Sequence, residues 1–563
     1  MTRVEDLQSN RQRIASIVRG ILESLGPGRP VPLPLVDAVV DGAGDRAAVQ
    51  RACRAAYGPE KPFELVLFDT DRIAEFVFES SRPPVIAGAS RLLRDLNQQI
   101  RDDFGKWAVF SGGGEGLLLV PRGRGAEICG TIRERYRRQT AGALSVTAVW
   151  LEASPEDFIS LRPFAEAAEG ARLVSGTQAV LCRLRDLARR WKDENPPLRA
   201  PVPGGADRCA SCRDRGEDGY PIPRDDEEGR LCAPCRTRWE MGRRAIAGVS
   251  FDDLVDRLTG AYPELGAKAR YLGFLYVDGN AMGNLFGRLD SLPQIAFVSR
   301  AVSAVFENVE ARTAAEVERL VSRIVPEERL FLSYLGGGDE AIWILPGALA
   351  VQVAGKLPGW IDEEARAIEG LPKITAGAGL VLCQAGYPVR YQHSLAKALL
   401  KSAKGMFHGT KPDEVVSSLD FELLTDSSPL SEEPEVAREI AWRTEEAGFR
   451  RTCRPYRAEG FGALLDHLRT ARKWVATSQL YALQTGAGEG RKVFLNYLRY
   501  QIARGLDSYG PWLERCGQNA ADAAGLERFF IVGGPVGKSG TWLTDGLQLL
   551  PFLDQLARLE EGC

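Results

Sequence analysis

One pattern in this chain occurs twice and limits the folds open to it. Ser111–Pro121 reads SGGGEGLLLVP, and Leu335–Pro346 reads LGGGDEAIWILP. Each is two short apolar runs joined by a glycine turn, which is the signature of a β-hairpin. Upstream of each lies a run of β-formers that ends in an aspartate: FELVLFD at Asp69 and YLGFLYVD at Asp278. One helical passage separates strand from hairpin in both places. In the first copy it is SRLLRDLNQQIRDDFG, with Leu92, Leu93, Leu96 and Ile100 spaced for one face. Two glycine turns could match by chance. Strand, helix and hairpin matching in the same order point instead to one αβ unit used twice.

The rest of the chain is arranged around that duplication. Residues 1–60 read as helical, with a proline-rich interruption at GPGRPVPLP. A Pro/Gly-bounded insert separates the two copies. After the second copy come a strand, ITAGAGLVLC, and a helix, HSLAKALLKSAKG; from about residue 430 onward the pattern is mostly helical. The chain has 563 residues, 44% hydrophobic and 26% charged, which is the composition of an ordinary globular protein. Its formal net charge of −3 gives no global attraction to nucleic acid. Contacts with RNA would need local patches such as Arg133, Arg135, Arg137 and Arg138, or Arg236, Arg238, Arg243 and Arg244, and charge runs of this kind are more often solvated faces. The N-terminal MTRVEDLQSN lacks the apolar core of a signal peptide, and no stretch approaches the ~20 apolar residues of a membrane span, so a cytoplasmic location is expected. There are three histidines, His393, His408 and His467, and none in the first 392 residues, which excludes a histidine-built metal nuclease there.

The second copy carries the chemistry. Asp339 and Glu340 sit on consecutive positions at the glycine turn, and Asp278 ends the preceding strand. If strand and hairpin are neighbours in one antiparallel sheet, the three carboxylates converge as hard oxygen ligands suited to Mg²⁺ or Mn²⁺. Two such ions about 3.5–4 Å apart serve in-line phosphoryl displacement. Gly337 and Gly338 let a ligand approach the backbone closely. Downstream, Lys397, Lys401 and Lys404 share a helix face, and Lys404, at the helix end, is placed to hold a triphosphate as a point charge. Aligned on its glycines, the first copy has Gly116 where the second has Glu340, leaving Asp69, Asp71 and Glu115: too few ligands for two metals, but enough for a nucleotide-binding or structural unit.

Cys209-Ala-Ser-Cys212 and Cys232-Ala-Pro-Cys235 have the spacing of a zinc ribbon, a closed four-thiolate site whose Zn²⁺ is structural. The remaining cysteines are scattered and read as free thiols. GGPVGKSG at Gly533–Gly540 fails as a phosphate-binding loop because Val532 stands where the first glycine is required.

A strand aspartate, a GGDE hairpin and a later lysine helix together resemble the palm of GGDEF-type nucleotidyl cyclases. YVDGNAMGNLF resembles the corresponding strand end in the large polymerase-like subunit of type III CRISPR effectors. DTDRIAEFVF, AGASRLL and SGGGEGLLL are similar to that subunit's first palm, and TCRPYRAEGFGALL to the start of its C-terminal helical domain. The resemblance covers roughly residues 60–515. It implies an α+β multidomain fold: an N-terminal helical segment (1–60), a first, degenerate ferredoxin-like palm (61–155), a helical and zinc-ribbon insert (156–245), a second palm with the GGDE site (246–428) and a C-terminal helical domain (429–563). The N-terminal HD nuclease domain of many relatives has no counterpart in these residues. The function implied is conversion of ATP to a cyclic oligoadenylate second messenger in RNA-guided antiviral defence, with other effector subunits, a guide RNA and a target RNA as partners and no membrane. Asp278, Asp339 and Glu340 would be catalytic, with Lys404, Gly337, Gly338, Asn280, Asp69 and Glu115 holding nucleotide. Asn280 stands where that family has a second aspartate. Two other readings stay open: a scaffold subunit with inactive palms, and a stand-alone cyclase with a different base or trigger.

Overall fold

The structure is a computed structural model that describes residues 7–80, 82–159, 175–196, 207–222, 229–245, 270–321, 331–408, 410, 411, 414–425, 444, 446, 448–533 and 539–561. Three helices open the chain: α1 (Leu7–Leu25), α2 (Leu33–Asp41) and α3 (Arg46–Tyr57). Ile14, Val18, Ile21 and Leu22 recur at helical spacing on α1 and are buried. Gly42, in the left-handed region, ends α2, and the Asp45 carboxylate caps α3 by accepting from the Ala47 and Ala48 amides.

The first αβ unit runs β1 (Phe63–Thr70), α4 (Ile73–Phe78), α5 (Pro83–Phe104), β2 (Ala108–Gly112), β3 (Glu115–Pro121), α6 (Gly125–Gln139), β4 (Val146–Ala153) and α7 (Gly176–Glu194). Its four-stranded sheet has the order β2-β3-β1-β4. Strand alternation sorts the two faces. Val66 and Phe68 pack with residues of α4, α5 and α6; Leu65 and Leu67 pack in the core that contains α1, α2 and Val180, Leu181 and Leu184 of α7. The sequence reading set Gly176–Glu194 apart in the insert, but α7 packs on β1 and β4 and so belongs physically to this sheet.

The insert itself is small. A hairpin of β5 (Tyr220–Pro221) and β6 (Arg230–Leu231) leads into α8 (Ala233–Ala245), and α8 packs along α5. The two helices touch through Gly88 and Gly242: a Cβ on either would lie 1.7 Å from a backbone oxygen of the other helix, so only glycine permits the contact.

The second unit repeats the first: β7 (Tyr271–Gly279), α9 (Met282–Phe286), α10 (Leu292–Val321), β8 (Leu332–Gly337), β9 (Glu340–Pro346), α11 (Gly347–Arg366), β10 (Ala376–Gln384) and α12 (Val389–Gly405). Its strands run β8-β9-β7-β10, the same order, and even the bulge recurs, between Ala108 and Phe110 and between Ser333 and Leu335. β11 (Ser418–Leu423) then adds parallel to β10. After a short strand β12 (Phe449–Arg450), β13 (Tyr456–Arg457) closes the edge of this six-stranded sheet. Leu275 and Val277 join the core formed with α10 and α11; Phe274 and Tyr276 pack with α12.

The units pack reciprocally. Strand β8 lies against α5 and strand β2 against α10. Phe78, ending α4, stacks on the His393 ring of α12 at 4.5 Å between centroids and meets Phe274 and Tyr334 edge-on.

The C-terminal part is mostly helical, as the sequence suggests: α13 (Ala458–Ala471), α14 (Thr477–Leu483), α15 (Arg491–Arg504), α16 (Leu506–Arg515), α17 (Ala523–Phe530) and α18 (Leu543–Glu561), with β14 (Ile531–Gly533) and β15 (Ser539–Thr541) completing a small sheet with β12. It is tied to the second sheet by Arg454, whose fully buried guanidinium donates to the Phe421 carbonyl at 2.8 Å and pairs with Asp545 of α18 at 3.0 Å. Among the described residues no helix is long and apolar enough to cross a membrane.

Candidate active site between duplicated palms

The strand register explains why the second-unit carboxylates converge. β7 pairs antiparallel with β9 so that Asp278 faces Glu340, and β8 pairs with β9 so that Gly337 faces Glu340. Gly338 and Asp339 form the two-residue turn between them, with Gly338 at φ +68. The Gly279 amide donates to the Asp339 carbonyl at 2.9 Å, stapling the turn to the end of β7. Glu340 accepts from the Tyr276 hydroxyl, and Lys404, in the last turn of α12, donates to Asp278 and, at 2.7 Å, to the Gly279 carbonyl. Lys397 and Lys401 are exposed on the same helix, and only Lys404 of the three reaches the aspartate.

Three carboxylates this close raise one another's proton affinity. Burial, then the charge of Asp278 and more weakly that of Glu340, pushes the Asp339 carboxyl up to about 6. Glu340 is raised by burial and by Asp278, against the Tyr276 hydrogen bond and the charges of Lys397 and Lys404. Lys404 offsets part of this acidic charge, and a divalent cation at the strand end would relieve more of the repulsion.

Asn280 is committed elsewhere. Its amide nitrogen donates to Thr375 at 3.2 Å and to the Val416 carbonyl at 3.4 Å, and its backbone NH bonds the Thr375 carbonyl at 2.8 Å. Asp71 does the same work in the first unit, accepting from Ser145 and Thr147 at 2.9 Å each while its NH bonds the Ser145 carbonyl. Position +2 from the strand-end aspartate thus ties the strand end to the entry of the fourth strand in both copies. Either an aspartate or an asparagine can do that.

Register also corrects the alignment of the two turns. Asp69 faces Glu115, as Asp278 faces Glu340, and Gly112 faces Glu115, as Gly337 faces Glu340. The Thr70 amide donates to the Gly114 carbonyl as Gly279 does to Asp339. Glu115 is therefore the counterpart of Glu340, and the carboxylate missing from the first copy is that of Asp339, replaced by Gly114. Aligning the runs of three glycines by eye slips by one residue. Gly114 has φ +86, and a Cβ there would lie 2.6 Å from Ile73.

In the first unit Lys192 of α7 donates to Asp69 at 2.6 Å and lies 3.1 Å from Asp71. Glu115 is solvent-exposed at the start of β3, and the charges of Asp69 and, from the other unit, Asp339 raise its carboxyl against the charges of Arg185 and Lys192. The charge at one hairpin turn is thus felt at the other. Sequence reasoning missed Lys192, Tyr276 and Thr375. The available signal was that VTAVWLEA and the helix after it repeat the strand and lysine helix of the second copy.

The four cysteine sulfurs, Cys209, Cys212, Cys232 and Cys235, lie within 4.8 Å of one another and are buried. The Cys232 amide and Arg238 direct N–H groups at Cys209 and Cys235, at 3.3 and 3.2 Å. Arg238 and Arg215 both also grip Glu79, at the end of α4. The donor set is that of a tetrahedral thiolate site, which fits zinc. Of the basic patches, Arg135 pairs with Asp103, Arg137 with Glu134, and Arg236 with Glu240, while Arg238 is buried. The side chains of Arg243 and Arg244 lie outside the described residues, as does most of the Gly533–Gly540 loop.

Comparison with known proteins agrees with this geometry. Residues 271–411 match the family model described as Cas10/Cmr2, second palm domain. This is a Cas10-like palm. The match spans β7 to the end of α12 and so includes Asp278, Asp339, Glu340 and Lys404 of the Cas10-like site. Among solved structures, Csm1 of T. onnurineus superposes with a TM-score of 0.55 at 15% identity, covering 90% of this chain and 71% of that one. A Csm1–Csm4 cassette in complex with cA3 gives 0.51 at 15% identity, covering 88% and 70%. The same cassette in complex with one ATP gives 0.50 at 14% identity, covering 88% and 70%. At these identities the likeness is one of fold. No curated protein sequence matches the chain.

Proposed function

We propose that this chain is a metal-dependent nucleotidyltransferase that joins ATP into 3′,5′-linked cyclic oligoadenylate as a subunit of an RNA-guided type III effector. The observation that carries the reading is the convergence of Asp278, Asp339 and Glu340, with Lys404 beside them, inside a Cas10-like palm. The Csm1–Csm4 cassettes of the same fold that hold ATP and cA3 favour adenine nucleotides as substrate and product. Csm4 in those cassettes likewise favours other effector subunits as partners; guide RNA and target RNA as the trigger belong to the proposal.

Asp278, Asp339 and Glu340 would hold two Mg²⁺ or Mn²⁺ ions, which supply activation of a ribose 3′-OH and Lewis-acid stabilisation of the α-phosphate. The residues themselves supply position. The Gly279–Asp339 staple fixes the turn, Tyr276 orients Glu340, and Asn280 anchors the end of β7. Gly337 and Gly338 leave the backbone open to the incoming nucleotide. Lys404, an ammonium already aimed at the strand end, would hold the leaving polyphosphate. The cysteine cluster would carry structural Zn²⁺ on the back of the first palm, away from this chemistry. The facing first palm, with Asp69 and Glu115, would receive the second nucleotide.

The test is product formation. Purified protein with each labelled nucleoside triphosphate, Mg²⁺ or Mn²⁺, partner subunits and target RNA should consume ATP and yield a cyclic product. No turnover of any triphosphate under those conditions would refute the enzyme and leave a scaffold. Turnover without RNA, or of another base, would point to a stand-alone cyclase.

A further inference from the structure

Phe78 ends α4 of the first unit, but its buried side chain packs into the second. It stacks on the His393 ring of α12 at 4.5 Å between centroids and 15° between planes. It meets Phe274 of β7 edge-on at 5.6 Å and Tyr334 of β8 at 6.1 Å. Those three elements carry Lys404, Asp278 and one arm of the acidic turn. His393 stacks in turn on Tyr276, 5.7 Å away at 25°, and the Tyr276 hydroxyl donates to Glu340. Three rings thus join the first unit to a carboxylate oxygen of the second.

Both ends of this stack are held. Arg215 and Arg238 grip Glu79, the residue after Phe78, and Arg238 also donates to the Phe76 carbonyl at 2.7 Å. His393 is buried, and its Nε2 has no hydrogen-bond partner among the described residues. Burial, then the charge of Lys397, pushes the imidazole down to about 4, so at neutral pH it packs as an uncharged aromatic ring. Burial, then the charge of Glu340, raises the Tyr276 hydroxyl well above its ordinary value, which keeps it a donor. Burial raises the proton affinity of Glu340, and the Tyr276 hydrogen bond holds it down, favouring the ionised form that a metal ion needs.

The mirror positions lack all three rings. Counted from the strand-end aspartate, Tyr276 corresponds to Leu67 and Phe78 to Gly287; counted back from the helix-end lysine, His393 corresponds to Leu181. Leu67 and Leu181 are buried as their counterparts are, so leucine serves for packing there. Leu67 has no hydroxyl to offer Glu115. The rings surround only the turn that carries Asp339.

We propose that the Phe78–His393–Tyr276 stack positions Glu340, so that the first unit sets how tightly the second unit's carboxylates hold a divalent cation. This rests on the metal-dependent transferase reading and deepens it. His393 and Phe78 act through Tyr276 and are positioning residues, not ligands.

The experiment is titration of the full chain with Mn²⁺, in buffer free of chelator to spare the cysteine cluster, with the free ion followed by electron paramagnetic resonance. Wild type should hold Mn²⁺ at a site that Asp339→Asn removes. Tyr276→Phe keeps the ring and loses the donor, and should weaken that site about ten- to hundredfold, as loss of a partner that orients a metal ligand does. His393→Leu and Phe78→Leu should each weaken it about two- to tenfold, the worth of one aromatic pair, and His393→Phe should restore most of the loss. In the Tyr276→Phe background His393→Leu should add nothing, because no hydroxyl remains to be placed. Leucine variants that melt lower yet bind Mn²⁺ as wild type does would make the stack core packing and overturn the inference. So would a His393→Leu effect that persists in full without the hydroxyl. Unchanged Mn²⁺ affinity in Tyr276→Phe overturns it even if the leucine variants fail to fold. If no Mn²⁺ site responds to Asp339→Asn, the transferase reading falls with it.

Discussion

Replacing Asp339 with asparagine should stabilise the metal-free protein while removing its activity. In the folded chain the Asp339 carboxyl is raised from 3.8 to about 6, by burial first and then by Asp278 and Glu340. Fully felt, a rise of that size is worth roughly 3 kcal/mol of destabilisation above both values. The turn keeps partial contact with water, and screening reduces this to about 1–1.5 kcal/mol. The sign follows from proton binding: between the unfolded and folded values the native state holds more protons, so native stability falls as pH rises through about 6. Asparagine removes the charge and keeps the backbone carbonyl that accepts from Gly279. Without divalent cations at about pH 7.5, Asp339→Asn should therefore melt about 2–5 °C higher in the transition that includes the second sheet. The advantage should shrink as pH falls from about 6 and vanish below 3.8, where the folded and unfolded aspartates are both protonated. Mg²⁺ should raise the wild type and not the variant, by about 2.7 kcal/mol at a hundredfold excess over its dissociation constant. Scanning calorimetry across pH and Mg²⁺ measures all of this. A variant that is less stable than wild type in metal-free buffer at neutral pH would refute the charge-crowding account, as would an advantage that survives at low pH.

The other expectations are briefer. Asp339→Ala with Glu340→Ala should abolish cyclic product, whereas Glu115→Ala should leave substantial turnover; product chromatography showing the reverse would move the active centre to the first unit. Because Asp339 titrates near 6 and Glu340 is raised too, synthesis at limiting Mg²⁺ should fall steeply as pH drops below about 6, and saturating Mg²⁺ should shift that limb to lower pH; a flat profile would show that neither group must ionise. Elemental analysis should find about one zinc per chain, and Cys209→Ser with Cys232→Ser should release it and loosen α8 from α5; a fully folded protein without zinc would contradict a structural site.

The duplication, the hairpins and the cysteine cluster were legible because each is written in local sequence: β-formers closing on an aspartate, glycine turns, paired CxxC knuckles. What was not legible depended on pairing across the chain. Three consecutive glycines in each turn permit two alignments, and only the register that sets Asp69 against Glu115 decides that Gly114, not Gly116, marks the lost carboxylate. Asn280 looked like a lost ligand because the sequence cannot show that the same position in the first copy, Asp71, bonds Ser145 and Thr147 instead of facing the turn. Lys192 was hidden because 160–174 separate its helix from β4, so the helix read as part of the insert, although its apolar face fits the first sheet.

Those hidden contacts change what the duplication means. Two identical units packed reciprocally, β8 on α5 and β2 on α10, would place two equal centres face to face. Here the symmetry is kept in the scaffold and broken at one turn residue. Asp339 gives the second unit a third acidic side chain; Gly114 denies it to the first by backbone conformation as well as by chemistry, since φ +86 disfavours any side chain. The facing acid, Glu115, survives as an exposed carboxyl whose proton affinity is raised by Asp69 and Asp339. The second unit thus carries one more acidic side chain at its turn than the first. On the transferase reading proposed above, that difference suits a reaction between two copies of one substrate, in which one presents its α-phosphate and the other its 3′-hydroxyl. It also means that the asymmetry resides in the geometry of a single turn: supplying a carboxylate at Gly114 would first have to overcome its clash with Ile73 before it could recruit a metal.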